Sequence, residues 1–227
     1  MDAAVAIGLL WAAFMATHLA LSSARVRPAA IARLGADGFR GVYSLVALGL
    51  FVPLVWIFAT HKHAGPLLWL SLGPPGAARF VNHVLMGLAT ILVVASVLPS
   101  STAPSAMLAR GPAVARGLVR VTRHPMLAGF GLFGAAHLLV NGTLGDVLFF
   151  GGFPLFAWIG ARHQDTRKAA EVRGYAGLVR ATSIVPFAAV LRGRQPFVPA
   201  ELPAVAIAVG LALAVLLRAY HARLFGP

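Results

Sequence analysis

Eight histidines and no cysteine set the chemistry this chain can attempt. His18, His83 and His137 fall inside long apolar runs, His61 and His63 close the second run, and His124 opens the fourth. An ionisable side chain in a hydrocarbon span is costly and points by default to function. A neutral imidazole costs less and needs one donor and one acceptor partner, so a helix–helix hydrogen bond is the bland alternative for each. Without cysteine there is no disulfide, no thiolate catalysis, no Cys-ligated zinc or iron–sulfur cluster and no c-type haem attachment. Several intramembrane imidazoles with no acid beside them suit iron protoporphyrin, whose faces fit between helices and whose iron takes imidazole axially. Zinc would want a carboxylate or water close by, and Asp146 is the acid nearest the spans.

Depth separates the candidate ligands. At about 1.5 Å per residue, His18 lies about 10 Å from the interface marked by Arg25, and His137 lies about 6 Å from the opposite end of a short span. In a hydrocarbon layer about 30 Å thick these levels differ by about 10 Å. His83, just past Arg79, matches His137 better, so depth pairs His83 with His137.

Thr122-Arg123-His124-Pro125-Met126 is the sharpest local motif. Proline is favoured at the first helical position. Arg123 and His124 then stand at a helix start, with free amides and positive partial charge. That suits an anion or nucleotide site with Arg123 and His124 as catalytic candidates; the bland alternative is a snorkelling arginine. The second polar motif runs over 180–194. Thr182 and Ser183 turn the chain, residues 187–191 can dip into a membrane surface, and Arg192 and Arg194 can meet lipid phosphate.

The elements that must position these residues are membrane helices. Of 227 residues, 59% are hydrophobic and 11% charged, far from the roughly 25% charge of a soluble domain. A soluble enzyme, a disordered chain and a secreted disulfide scaffold are excluded. Six segments are apolar enough to span: 3–22, 40–60, 80–99, 126–140, 144–161 and 202–217. The fold expected is all-α, a polytopic membrane helical bundle of about six transmembrane helices, forming one domain over 1–227 in a lipid bilayer. Asn141-Gly142 marks a tight turn between the fourth and fifth spans. Residues 66–72 are too short to span and read as interfacial or re-entrant, with Trp69 at headgroup level. A polar loop covers 162–201, with a surface helix over 164–172 and a turn at Arg173-Gly174.

The net charge of +13 does not indicate nucleic acid, because the basic residues sit between apolar runs. Fifteen of the nineteen lysines and arginines fall in loops one, three and five, which places those loops in the cytoplasm and both termini outside. The first run lacks a basic leader and is read as an uncleaved helix rather than a signal peptide. There is no phosphate-binding glycine loop and no internal repeat.

The stretches "HLALSSARVR" (18–27), "GFRGVYSLVALG" (38–49), "TRHPMLAGFGLFGAAHLLVNG" (122–142) and "TSIVPFAAVLRGR" (182–194) resemble the NnrU family of bacterial inner-membrane proteins over nearly the whole chain. That family is similar to the zeta-carotene isomerases, membrane proteins holding haem b. The resemblance implies a haem b associated with His18 and His137, with His61 in "FATHKHAG" a third functional position. It further implies a bacterial inner-membrane location and either redox or isomerase chemistry on a lipid-soluble substrate or a link to nitrite and nitric oxide metabolism. Spans one and four would then pack face to face, with Thr17 and Asn141 supporting the imidazoles.

A weaker likeness joins "RHPMLAG" (123–129) and "EVRGYAGLVRATSIVP" (171–186) to isoprenylcysteine and phospholipid methyltransferases. Leu127 replaces their tyrosine there, and Glu171 stands alone where they have a pair. Transfer of a methyl group from S-adenosylmethionine is the alternative function, and a non-enzymatic assembly factor is a third.

Overall fold

The computed structural model describes residues 2–98 and 114–226. Arg110 and Pro99, which figure in the charge pattern and the third span, lie outside the described residues. Helix α1 (Ala3–Leu21) starts at Asp2, whose side chain accepts from the Ala4 amide at 3.0 Å. Helix α2 (Val26–Thr60) is interrupted at Gly35, whose φ of 72° is open to glycine and strained for other residues. The stretch before Gly35 is therefore a separate basic segment leading into the apolar span. Helix α3 (Pro75–Val97) begins with proline in its first turn, and the short α4 (Leu118–Val121) leads to α5 (Pro125–Leu138), which His124 caps. Helix α6 (Leu144–Glu171) opens on a capping box in which Thr143 and Asp146 satisfy each other's amides. Then come α7 (Tyr175–Ala181), α8 (Ala188–Leu191), a 3-10 turn at Pro199–Glu201 and α9 (Ala204–Phe225).

Helices α1, α2, α3, α6 and α9 are long and apolar enough to cross a membrane, and α5 is a shorter apolar helix. This matches the six expected spans. The α5–α6 connection through Asn141 and Gly142 is the expected tight turn. The separate surface helix over 164–172 is corrected: α6 runs unbroken to Glu171. No glycine or proline interrupts it after Gly160, and it ends only as Gly174 takes φ 82°. Residues 66–72 lie across the α5–α6 turn. The Leu68 amide donates to the Gly142 carbonyl at 2.8 Å and the Leu72 amide to the Leu139 carbonyl at 2.9 Å. Leu70, at 80% exposure, points away from the protein, which agrees with an interfacial segment.

The helices form an arc in the order α2, α1, α6, α5, α3, α9. Leu45, Val52, Val205 and Val215 face outward from the two edge helices, as side chains do against lipid. The core is aromatic: Trp11 and Phe14 of α1 meet Phe149, Phe150 and Phe153 of α6 around Ile7 and Leu54. The Trp11 indole lies over Gly152 and donates to the Phe149 carbonyl at 3.0 Å. On the other flank of α6, Pro154 has no amide to give the Phe150 carbonyl. Gly134 of α5 packs onto that carbonyl and the Pro154 ring. Small residues bring these backbones together.

Candidate functional site

The Arg-His-Pro motif converges on Asp165, near the end of α6 that carries most of the basic residues. Arg123 Nε donates to Asp165 Oδ1 at 2.9 Å and Nη2 to Oδ2 at 2.6 Å, a bidentate pair. His124 Nε2 donates to Oδ1 at 2.8 Å and the Tyr175 hydroxyl donates to the same oxygen at 3.0 Å. Arg123 Nη1 reaches Thr182 Oγ1 at 2.9 Å. The side chains of Arg123 and His124 are each only 5% exposed.

Backbone bonds fasten the second polar motif to this hub. The Arg123 amide donates to the Ser183 carbonyl at 2.8 Å, Thr122 Oγ1 to the Ile184 carbonyl at 2.7 Å, and the Phe187 amide to the Val121 carbonyl at 2.8 Å. Burial pushes the His124 imidazole below its ordinary pKa, against the opposing pull of Asp165. With its Nε2 proton committed to Asp165, neutral His124 keeps Nδ1 as its lone-pair nitrogen. Burial, reinforced by the Asp165 charge, holds the Tyr175 phenol protonated well above its ordinary range. Arg123 is thus fully engaged with protein groups, so the motif builds a buried clasp around the helix start.

The intramembrane imidazoles stand apart from this hub. His18 Nδ1 is bonded to the Phe14 carbonyl at 3.0 Å and His137 Nδ1 to the Phe133 carbonyl at 2.9 Å. Those carbonyls do the supporting work expected of Thr17 and Asn141, whose side chains bond to main-chain carbonyls instead. Both rings therefore leave Nε2 as a free lone pair, the state an axial ligand requires.

Their positions do not converge. His18 packs against Tyr43 and Phe156, with centroids at 4.9 and 5.3 Å, while His137 stacks on Phe150 at 4.3 Å. Phe150 and Phe156 are about 9 Å apart along α6 at 1.5 Å per residue. Helix α6, with Trp11 and Phe153 in edge contact at 5.0 Å, fills the space between α1 and α5. The expected face-to-face packing of spans one and four is corrected accordingly. One iron held axially by both His18 and His137 does not fit this packing.

His83 is exposed on α3 and accepts from Arg218 Nε at 2.8 Å through its Nε2. Its neighbour Asn82 reaches α5, donating to the Ala136 carbonyl at 2.8 Å. His83 Nε2 is thus taken by Arg218, whereas the Nδ1 of His137 is bonded within its own helix. His61 is exposed, with Nδ1 2.9 Å from Thr60 Oγ1. His63 contacts the wholly buried Asp146, Nδ1 to Oδ2 at 2.9 Å.

Three groups were not singled out from sequence: Asp165, Tyr175 and the trio of His163, Gln164 and Arg167. A buried arginine demands a carboxylate, and with only six acids in the chain Asp165, just past the fifth apolar run, was the available signal. His163 Nε2, Gln164 Oε1 and Arg167 Nε are buried without hydrogen-bond partners. They lie on the face of α6 that continues from Phe149, Phe153 and Phe156. Among the described residues no group of three or more His, Cys, Asp or Glu is placed to hold a metal ion.

The five long apolar helices and the shorter α5 define a polytopic α-helical membrane protein. The chain belongs to the NnrU protein family, whose description matches residues 6–227. It is similar to "15-cis-zeta-carotene isomerase, chloroplastic" of Arabidopsis thaliana, 29% identical over 203 residues, which is 84% of this chain and 52% of that protein. The protein of the same name from Zea mays is 27% identical over 196 residues, 82% of this chain and 50% of the relative. The chain spans about half the length of the curated relatives it matches. No solved structure matches it.

Proposed function

We propose that this protein is a membrane isomerase-type protein acting on a lipid-soluble substrate in a bacterial inner membrane. The likeness to the carotenoid isomerases over more than four-fifths of the chain carries this reading. Two imidazoles in aromatic surroundings, each with a free Nε2, support it. In this reading α1, α5 and α6 hold an apolar substrate away from water. Tyr43, Phe156 and Phe150 supply flat surfaces beside the imidazoles. His124, through Nδ1, and the exposed His61 are the proton-exchanging candidates, and Arg123 positions His124 through their common partner Asp165.

A b-type haem is the finer part of the proposal, and it takes one imidazole of this chain rather than two. His18 is the better placed, because Tyr43 adjoins it and the unpartnered donors of His163 and Arg167 lie on the same α6 face as Phe156. Bound there, a haem would be held by His18 and would supply a redox-active iron. The association with nitrite and nitric oxide metabolism stays a proposed physiological setting.

The test is expression in a bacterial host that accumulates the 15-cis carotenoid, with isomers resolved by chromatography and the purified protein examined for a Soret band. Isomer conversion above the empty-vector level is expected, with a band that His18→Ala removes. Unchanged isomer ratios overturn the isomerase reading. A band lost only in His137→Ala moves the ligand to α5.

The methyltransferase reading keeps one favouring observation: "RHPMLAG" and 171–186 meet at Asp165 and Tyr175. Binding of S-adenosylmethionine by haem-free protein, measured by calorimetry, would favour it.

A further inference from the structure

A cavity of about 450 Å³ opens beside Asp165, between the last turns of α6 and helix α7. Arg123, Arg162 and Arg180 line it with Asp165, and Ala169, Ala176, Val179 and Ile184 give it apolar walls. Asp165 is already neutralised by its bidentate bond to Arg123, so the lining keeps two positive charges in excess, on Arg162 and Arg180. Both side chains belong to exposed residues.

The level of the cavity is set by Trp158 and Arg162. Trp158 is 46% exposed on an apolar span, and the Arg162 guanidinium lies 5.8 Å from its ring. An indole facing outward with an arginine one turn beyond marks the headgroup layer. The chain next to the cavity carries the exposed apolar residues Val185, Phe187 and Leu191, the last at 85% exposure. That skirt would enter the same layer from its polar side.

We propose that this cavity is a lipid site that holds the phosphate of an anionic phospholipid between Arg162 and Arg180. The apolar walls take the glycerol and the first methylenes. Arginine pockets at the headgroup level of a basic membrane face have this preference. The site is independent of the imidazoles and of any isomerase activity. Free phosphate offers the same oxygens without an acyl chain.

The experiment uses the full chain in nanodiscs of phosphatidylcholine doped with phosphatidylglycerol, and native mass spectrometry counts the lipids retained on release. Wild type is expected to retain phosphatidylglycerol selectively. The Arg162→Ala/Arg180→Ala variant is expected to bind it about thirty-fold more weakly, at the surface attraction of one lipid charge for each of two arginines. The Arg162→Lys/Arg180→Lys variant, which keeps the charges, is expected to recover most of the binding and guards against a folding defect. Excess inorganic phosphate should leave the lipid in place. Displacement by phosphate overturns the lipid assignment in favour of a free anion. Equal retention of both lipids by wild type, or undiminished retention by the alanine variant, overturns the site.

Discussion

Gly152 of α6 lies directly beneath the indole of Trp11, and the indole nitrogen is bonded to the Phe149 carbonyl one turn away. The contact ties the α1–α2 pair to the rest of the arc. A side chain at position 152 would occupy the space the indole fills.

Gly152→Ala is therefore expected to destabilise the fold by about 1–3 kcal/mol, the usual range for overpacking a close contact. The thermal midpoint in detergent reads this. Gly151→Ala is the control, because nothing stands within 4 Å of a β-carbon added there. Equal midpoints for the two variants would contradict the Trp11–Gly152 contact.

Asp165→Asn leaves the buried Arg123 guanidinium without its counter-charge. Loss of about 3–5 kcal/mol is expected, as for breaking other buried pairs. It should appear as easier proteolysis between residues 172 and 187, which the hub fastens. The double variant Arg123→Met/Asp165→Leu removes both charges and should regain much of the loss. A double variant as weak as the single one would show that the clasp is not mainly an ion pair.

Glu201 is held down to about 2 by Arg120, which donates at 2.9 Å, and by the Gly117 amide. The unfolded chain titrates this carboxyl near 4.5. Between those values the unfolded state binds more protons, so the stabilisation is complete above about pH 4.5 and is lost as pH falls towards 2. Glu201→Gln should flatten that part of a stability-against-pH curve. His124 acts in a higher window. Its pKa is lowered from 6.5, so its contribution is present above about pH 6.5 and is lost below it.

Sidedness follows from the charge asymmetry. A membrane-impermeant label introduced near Lys168 should react only from the cytoplasmic side, and one near His63 only from the outside. The end of α9 meets Lys62, next to His63, so the C-terminus should label with His63. Modification of both positions from one side would remove the six-span arrangement.

The spans, the Asn141-Gly142 turn and the proline-started α5 were legible because each is written in a local run of residues. The hub was half legible. Arg123 and His124 stand out in the motif, whereas Asp165 is distant in sequence and nothing local announces its partner. The length of α6 was missed because polarity after Ala161 suggested a boundary, yet polar side chains do not end a helix that lacks a breaker. The order of helices in the arc is a matter of which small residue faces which large one. The Trp11–Gly152 and Gly134–Pro154 pairings cannot be read from periodicity, and they separate His18 from His137.

Pro154 stands between Phe150, which touches His137, and Phe156, which touches His18. Its missing amide removes one rung from the hydrogen-bond ladder of α6 at that level. A helix bends most easily where a rung is absent. The compliance of this rod is therefore concentrated between the two imidazole neighbourhoods. Trp11 grips the rod on both sides of that point, bonded to the Phe149 carbonyl and packed against Phe153 and Phe156. Gly134 of α5 rests on the same point, against the unpaired Phe150 carbonyl and the Pro154 ring.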